Sequence, residues 1–113
     1  MSEDLAYLKH ILDAIRAIED YTKDMTSEKF IQSDNGMMQD AVVRELEIIG
    51  EAVRKLSDDI KTANPDLSWR DIEGMRNKLI HEYFGVEMKI VWKTVESNLP
   101  VLKKTAQGLL TKF

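Results

Sequence analysis

Residues 76–83, Arg-Asn-Lys-Leu-Ile-His-Glu-Tyr, hold the side chains best suited to chemistry. They read R-N-x-L-I-H-x-Y inside a segment, Trp69 to about Tyr83, that the apolar spacing predicts to be a helix. On a helix each residue advances roughly 100°, so Asn77 and His81 share one line. Arg76 and Tyr83 share another, beside Ile72, Leu79 and Ile80. Arg76 thus stands where the apolar stripe would otherwise continue, and a guanidinium there needs a partner or a wet cleft. Arg76 could hold a phosphate through its planar fork and stabilise charge developing on it. His81 could exchange protons near neutral pH, its imidazolium favoured by the C-terminal end of the helix dipole. Asn77 could orient either. This chemistry calls for no metal or other cofactor. One geometric difficulty remains: Arg76 and His81 diverge by roughly 140° about the helix axis, so one copy does not obviously close a site. The plainer alternative is a surface arginine and histidine, or a polar pair that satisfies itself.

The rest of the chain must position these residues. With 113 residues, 43% hydrophobic and 32% charged, the composition is that of one helical domain with its own core, residues 1–113. Five glycines and two prolines leave few places to break a helix. The absence of cysteine excludes disulfides and thiolate metal sites and fits a reducing cytoplasm. No apolar run approaches the roughly 20 residues that span a bilayer, and the acidic start is unlike a signal peptide. The net charge of −4 argues against generic high-affinity nucleic-acid binding. Its distribution is uneven. Residues 1–75 carry 9 Lys/Arg and 17 Asp/Glu, whereas residues 76–113 carry 7 and 3, so Arg76 opens the basic part.

Apolar residues at Leu5, Leu8, Leu12 and Ile15, widened by Ile11 and Ile18, predict an amphipathic helix from about Asp4 to Lys23. Thr26-Ser27-Glu28 caps a short helix through Phe30, and residues 32–37 read as a loop. Val42, Leu46, Ile49, Val53 and Leu56 follow a 4-3-4-3 spacing that predicts a bundle helix from about Met38 to Leu56. Ser57 caps a short helix, Asp58 to about Ala63, ended by Asn64-Pro65. Ser68 with Asp71 resembles a capping box opening the motif helix, and Gly85 provides its stop. A further helix from Val86 or Glu87 to about Ser97 packs Ile90, Val91 and Val95. Pro100 sits in the first turn of a last helix running to near Phe113. The expected fold is an all-α, up-and-down bundle of about four main helices plus short ones. Glu45, Glu47 and Glu51 on the long helix read as a solvated face. Arg44 and Glu51 are candidates to pair with the motif helix, because a buried Arg76 needs a carboxylate. His10 reads as a boundary residue, Met37 and Met38 as gap fillers or loop residues, and Trp69 and Trp92 as core or interface anchors.

Arg76 to Tyr83 resembles the R-x-x-x-x-H-x-Y motif of HepT-like HEPN proteins, toxin halves of prokaryotic HepT–MntA toxin–antitoxin pairs. Its surroundings are similar too: Asp40-Ala-Val-Val-Arg-Glu-Leu-Glu-Ile-Ile-Gly-Glu-Ala, then Pro65 with Ser68-Trp-Arg-Asp-Ile, the motif itself, Ile90-Val-Trp and Leu99-Pro100. The resemblance spans roughly residues 5 to 110. It implies a metal-independent endoribonuclease of a type VII-like system, with Arg76 and His81 as the catalytic pair and Asn77 as the polar residue that follows the arginine. Tyr83 would be the hydroxyl that an MntA-like nucleotidyltransferase antitoxin adenylylates to silence the toxin. The resemblance further implies an RNA substrate and a homodimer whose two motifs face one cleft, with higher assembly with the antitoxin open. A second reading stays beside it: a catalytically silent helical subunit that binds a nucleotidyltransferase or its nucleotide. A third is a structural helical dimer.

Overall fold

The computed structural model describes residues 2–32, 36–81 and 88–112, and of residues 2 and 79–81 the backbone alone. Four main helices, α1 (Ser2–Tyr21), α3 (Gly36–Lys55), α5 (Trp69–His81) and α7 (Leu99–Leu110), carry the fold. Short helices α2 (Ser27–Ile31), α4 (Asp58–Ala63) and α6 (Met88–Lys93) connect them, and a π-helical segment, Thr94–Asn98, joins α6 to α7. No strand occurs among the described residues. The all-α expectation holds, with four main helices. None of the described helices is long and apolar enough to cross a membrane.

Heptad-like spacing on α3 translates directly into burial. Val42, Leu46, Ile49, Val53 and Leu56 are all in the core. They meet Leu8, Ile11, Leu12, Ile15 and Ile18 from α1, and Leu102 and Ala106 from α7. Helix α3 is the central member, packed along α1 on one side and α5 on the other. Phe30 is fully buried from α2 and stacks against Trp92, ring centroids 5.1 Å apart. Trp69 is the second aromatic anchor, its indole N–H donating to the Asn64 carbonyl at 3.0 Å.

Helix ends follow local chemistry. Thr26 and Ser57 accept backbone N–H bonds from Lys29 and Ile60 and so cap α2 and α4. Ser68 differs from a capping box: its hydroxyl donates to the Asp71 carboxylate at 2.6 Å, and its own carbonyl accepts from the Asp71 and Ile72 N–H groups. Helix α1 stops at Tyr21, two residues before the expected Lys23. The Thr22 hydroxyl bonds back to the Ile18 carbonyl at 2.7 Å, and Asp24 turns into the left-handed region at φ 60°. Helix α3 starts earlier than expected, at Gly36. Its Gln39 amide donates to the Phe30 and Gln32 carbonyls at the end of α2. The buried Asp4 accepts from both the backbone N–H and the hydroxyl of Ser57, at 2.9 and 2.7 Å. That ties the start of α1 to the turn between α3 and α4.

Pro100 lies in the first turn of α7, as expected, and no break in the helical path precedes it. Lys93, Asn98 and Leu99 all keep right-handed helical angles, and the Leu99 N–H reaches back to the Thr94 carbonyl. A proline inside a regular helix lacks its N–H and crowds the carbonyl four residues earlier. Widening the ladder by one residue just before Pro100 accommodates that ring without a chain reversal. The expected stop at Gly85 lies outside the described residues.

Candidate active site

Helices α3 and α5 approach most closely where Gly50 faces Arg76. A methyl group built on Gly50 would overlap Cβ of Arg76 and lie 2.8 Å from its Cγ and 3.3 Å from its Cα. Only a residue without a side chain permits this crossing. The backbone of α3 therefore forms a shelf under the stem of Arg76, whose side chain remains 25% exposed. Arg76 does occupy the place where the apolar stripe of α5 would run, and it is held there by polar partners. Nη2 lies 2.9 Å from Oε2 of Glu51, and Nη1 donates to Oδ1 of Asn77 at 3.0 Å. Its Nε–H is buried and has no hydrogen-bond partner among the described residues. The guanidinium is thus fixed in plane and direction by two different groups, which is what a fork aimed at a phosphate requires.

Glu51 serves more than one cation. Its carboxylate accepts from Arg54 at 2.6 Å, and Lys55 Nζ lies 3.5 Å away. The hydrogen bond from Arg54, with the charges of Arg54, Arg76 and Lys55 behind it, holds the Glu51 carboxyl below its ordinary value, against a smaller opposing effect of burial. The same bond raises the Arg54 guanidinium. A carboxyl depressed on folding stabilises the fold above its unfolded value of 4.5, and that contribution is lost as pH falls through the lower folded value. Thermal unfolding of wild type and Glu51→Gln between about pH 7 and pH 3 should therefore differ most near neutrality and converge below about pH 4.5. A gap that stays constant across that range would refute the linkage.

Arg76 stands at the edge of a cleft of about 430 Å³ between α1, α3 and α5. Tyr7 and His10 of α1 and Arg44, Glu47, Glu51 and Lys55 of α3 line it. Two cations of α3 stand here: Lys55 Nζ lies 5.8 Å from the Tyr7 ring centre, and Arg44 sits 3.8 Å from Glu47.

The expected site residues divide as follows. Arg76 and Asn77 are brought together, and of the two tasks open to Asn77 it takes up the arginine. The backbone of α5 extends through His81, while Tyr83 lies outside the described residues. Of the two candidates to pair with the motif helix, Glu51 does so and Arg44 instead faces Glu47. The glutamates of α3 read as a solvated face. Glu51 departs from that reading, because it is drawn into the Arg76 contact. His10 and Tyr7 were not singled out for this cleft. Their presence in it depends on how α1 rotates against α3, which residue spacing within one helix does not reveal.

Comparison with known proteins bears on the same residues. Residues 11–109 match the family model described as "Ribonuclease HepT-like". The chain belongs to the HepT-like ribonuclease family. It is 44% identical over 97 residues to "Probable ribonuclease HepT" of Thermococcus cleftensis, covering 86% of each chain. It is 42% identical over 105 residues to "Putative RNase MJ0125" of Methanocaldococcus jannaschii, covering 93% of this chain and 89% of that one. A third relative, "Putative RNase TTE0752" of Caldanaerobacter subterraneus, is 40% identical over 106 residues, covering 94% and 93%. No solved structure matches the chain. The HepT-like match encloses α3 and α5 entirely, and with them Gly50, Glu51 and the Arg76–Asn77 pair.

Proposed function

We propose that this protein is a metal-independent endoribonuclease and the toxin of a HepT–MntA-type pair. The observation that carries the reading is Arg76. Its guanidinium is held by Glu51 and Asn77 at the edge of a nucleotide-sized cleft, inside a chain of the HepT-like family. His81, on the same helix, takes the proton from a ribose 2′-OH, whose oxygen attacks the adjacent phosphorus. Arg76 neutralises the charge that builds on the phosphorane oxygens. The bond to the 5′-oxygen breaks, that oxygen is protonated, and a 2′,3′-cyclic phosphate and a 5′-OH remain. The reaction needs the 2′-OH, so DNA is not a substrate.

Two copies complete the site. Arg76 and His81 lie roughly 140° apart about α5, and a homodimer with both motifs on one cleft supplies each from the side the other helix leaves open. Tyr83 follows His81 by two residues. AMP transferred to its hydroxyl by a partner nucleotidyltransferase adds bulk and negative charge to the motif and competes with RNA for the Arg76 guanidinium.

Purified protein, shown by intact mass to carry no AMP, is tested on total RNA in EDTA beside His81→Ala. Cutting that survives EDTA, is lost in His81→Ala and leaves cyclic-phosphate ends is the expected result. No cutting by folded, unmodified protein would overturn the proposal for the RNAs tested.

A further inference from the structure

The cleft beside Arg76 has a wall that the cleavage steps leave unused: Tyr7 and His10 from α1, and Arg44 and Lys55 from α3. We propose that this wall is a subsite for one unpaired RNA nucleotide, whose base stacks on the Tyr7 ring while Lys55 contacts its phosphate. The proposal rests on the ribonuclease reading for its neighbour, the scissile phosphate at Arg76, and adds the residues that seat the flanking nucleotide.

Three observations converge on it. The first is size: about 430 Å³ lies within the range of small-ligand pockets and is too small for a duplex. The second is charge. Residues 1–75 are strongly acidic, 17 Asp/Glu against 9 Lys/Arg, yet this cleft sets Arg44, Lys55 and Arg76 against only Glu47 and Glu51, so its lining carries a net positive charge. A net positive lining on an acidic background favours an anion at that place. The third is the ring. Tyr7 is half-buried, and the Lys55 ammonium stands 5.8 Å from its centre. A long, exposed side chain rather than packed core lies over that face. An arriving base can displace it, and the freed ammonium can turn to the adjoining phosphate. Aromatic face, cations and a groove of this width are the parts from which single-strand RNA subsites are built.

The test measures binding of a fluorescein-labelled, single-stranded 2′-O-methyl oligonucleotide, which cannot be cut, by anisotropy on the full chain. Tyr7→Leu is expected to weaken binding about tenfold or more, and Tyr7→Trp to retain it. His10→Ala and Arg44→Ala change exposed residues, so their folding is secure, and each is expected to weaken binding by about threefold or more. Lys23→Ala removes an exposed cation that does not line the cleft and is expected to stay within about twofold of wild type. Wild-type affinity in both Tyr7→Leu and His10→Ala, or equal losses in Lys23→Ala, would overturn the subsite. A cleavable RNA run in parallel separates the two readings. Cutting with Tyr7-indifferent binding sinks the subsite alone. Tyr7-dependent binding without any cutting supports the subsite and sinks the nuclease.

Discussion

Gly50→Ala is expected to lower the melting temperature by roughly 5–10 °C and to reduce RNA cleavage by about a hundredfold. Alanine is ordinarily the better helix residue, by about 0.5–1 kcal/mol over glycine in a helix interior. Here the added methyl overlaps Cβ of Arg76 and sits 3.3 Å from its Cα. Those atoms are fixed to the backbone of α5, so no rotation of the arginine side chain relieves the contact. The two helices must separate. Overpacking of this kind costs about 1–3 kcal/mol, more than the gain in propensity. Separation also carries Arg76 away from Glu51, and a displacement of about 1 Å in a positioning group can cost about a hundredfold in rate. Gly74 and Gly108, both helical, provide the comparison, because a methyl on either meets nothing within 4 Å. Gly74→Ala should raise the melting temperature slightly while Gly50→Ala lowers it. If calorimetry finds both changes equally mild, the close approach of α3 and α5 does not constrain the fold.

Much of this architecture was legible from residue spacing, and the parts that were not have a common cause. Apolar periodicity specifies which face of a helix is buried, so the stripes of α1 and α3 carried directly into the core. Cap residues specify where helices start, so Ser57 and Thr26 were readable one residue at a time. The misplacement of Arg76 in an apolar stripe was visible too, and it pointed correctly to a carboxylate partner. What periodicity within one helix does not specify is its rotation and distance relative to another. Hence Glu51 and Arg44 were both candidates to pair with the motif helix, although only Glu51 reaches it, at Arg76, and Arg44 faces Glu47. Hence also Tyr7 and His10 gave no sign of sharing a cleft with a residue about seventy positions away. Gly50 held the missing signal. A glycine in the interior of a 20-residue helix is unfavourable by itself, and its usual compensation is the close approach of another backbone or side chain. Pro100 was readable as a first-turn proline, and α7 does begin at Leu99; what its neighbourhood did not show is that a π-helical turn leads into that helix without a break. A proline can open a helix or be absorbed by a π turn, and its sequence neighbourhood is compatible with both.

Arg76→Lys tests whether charge or the shape of the guanidinium matters, and it is expected to cut as poorly as Arg76→Ala, about 10²–10³-fold below wild type. Lysine keeps the positive charge and the aliphatic stem that lies against Gly50, so the α3–α5 crossing should survive. It has one nitrogen where arginine presents a planar fork. In the native arrangement Nη1 is committed to Asn77 and Nη2 to Glu51, so the guanidinium plane is fixed and its remaining Nη hydrogens keep one direction. A single ammonium satisfies Glu51 and becomes part of an ordinary ion pair. Its rotatable donors then have no reason to point at developing charge on the phosphorane. Rates on one RNA substrate, with melting temperatures measured on the same samples, decide the matter. A lysine variant with wild-type stability and near-native cleavage would mean that a diffuse positive potential suffices. Equal, severe losses in two folded variants would assign the effect to the fork, and with it to the Glu51 and Asn77 contacts that hold the fork still.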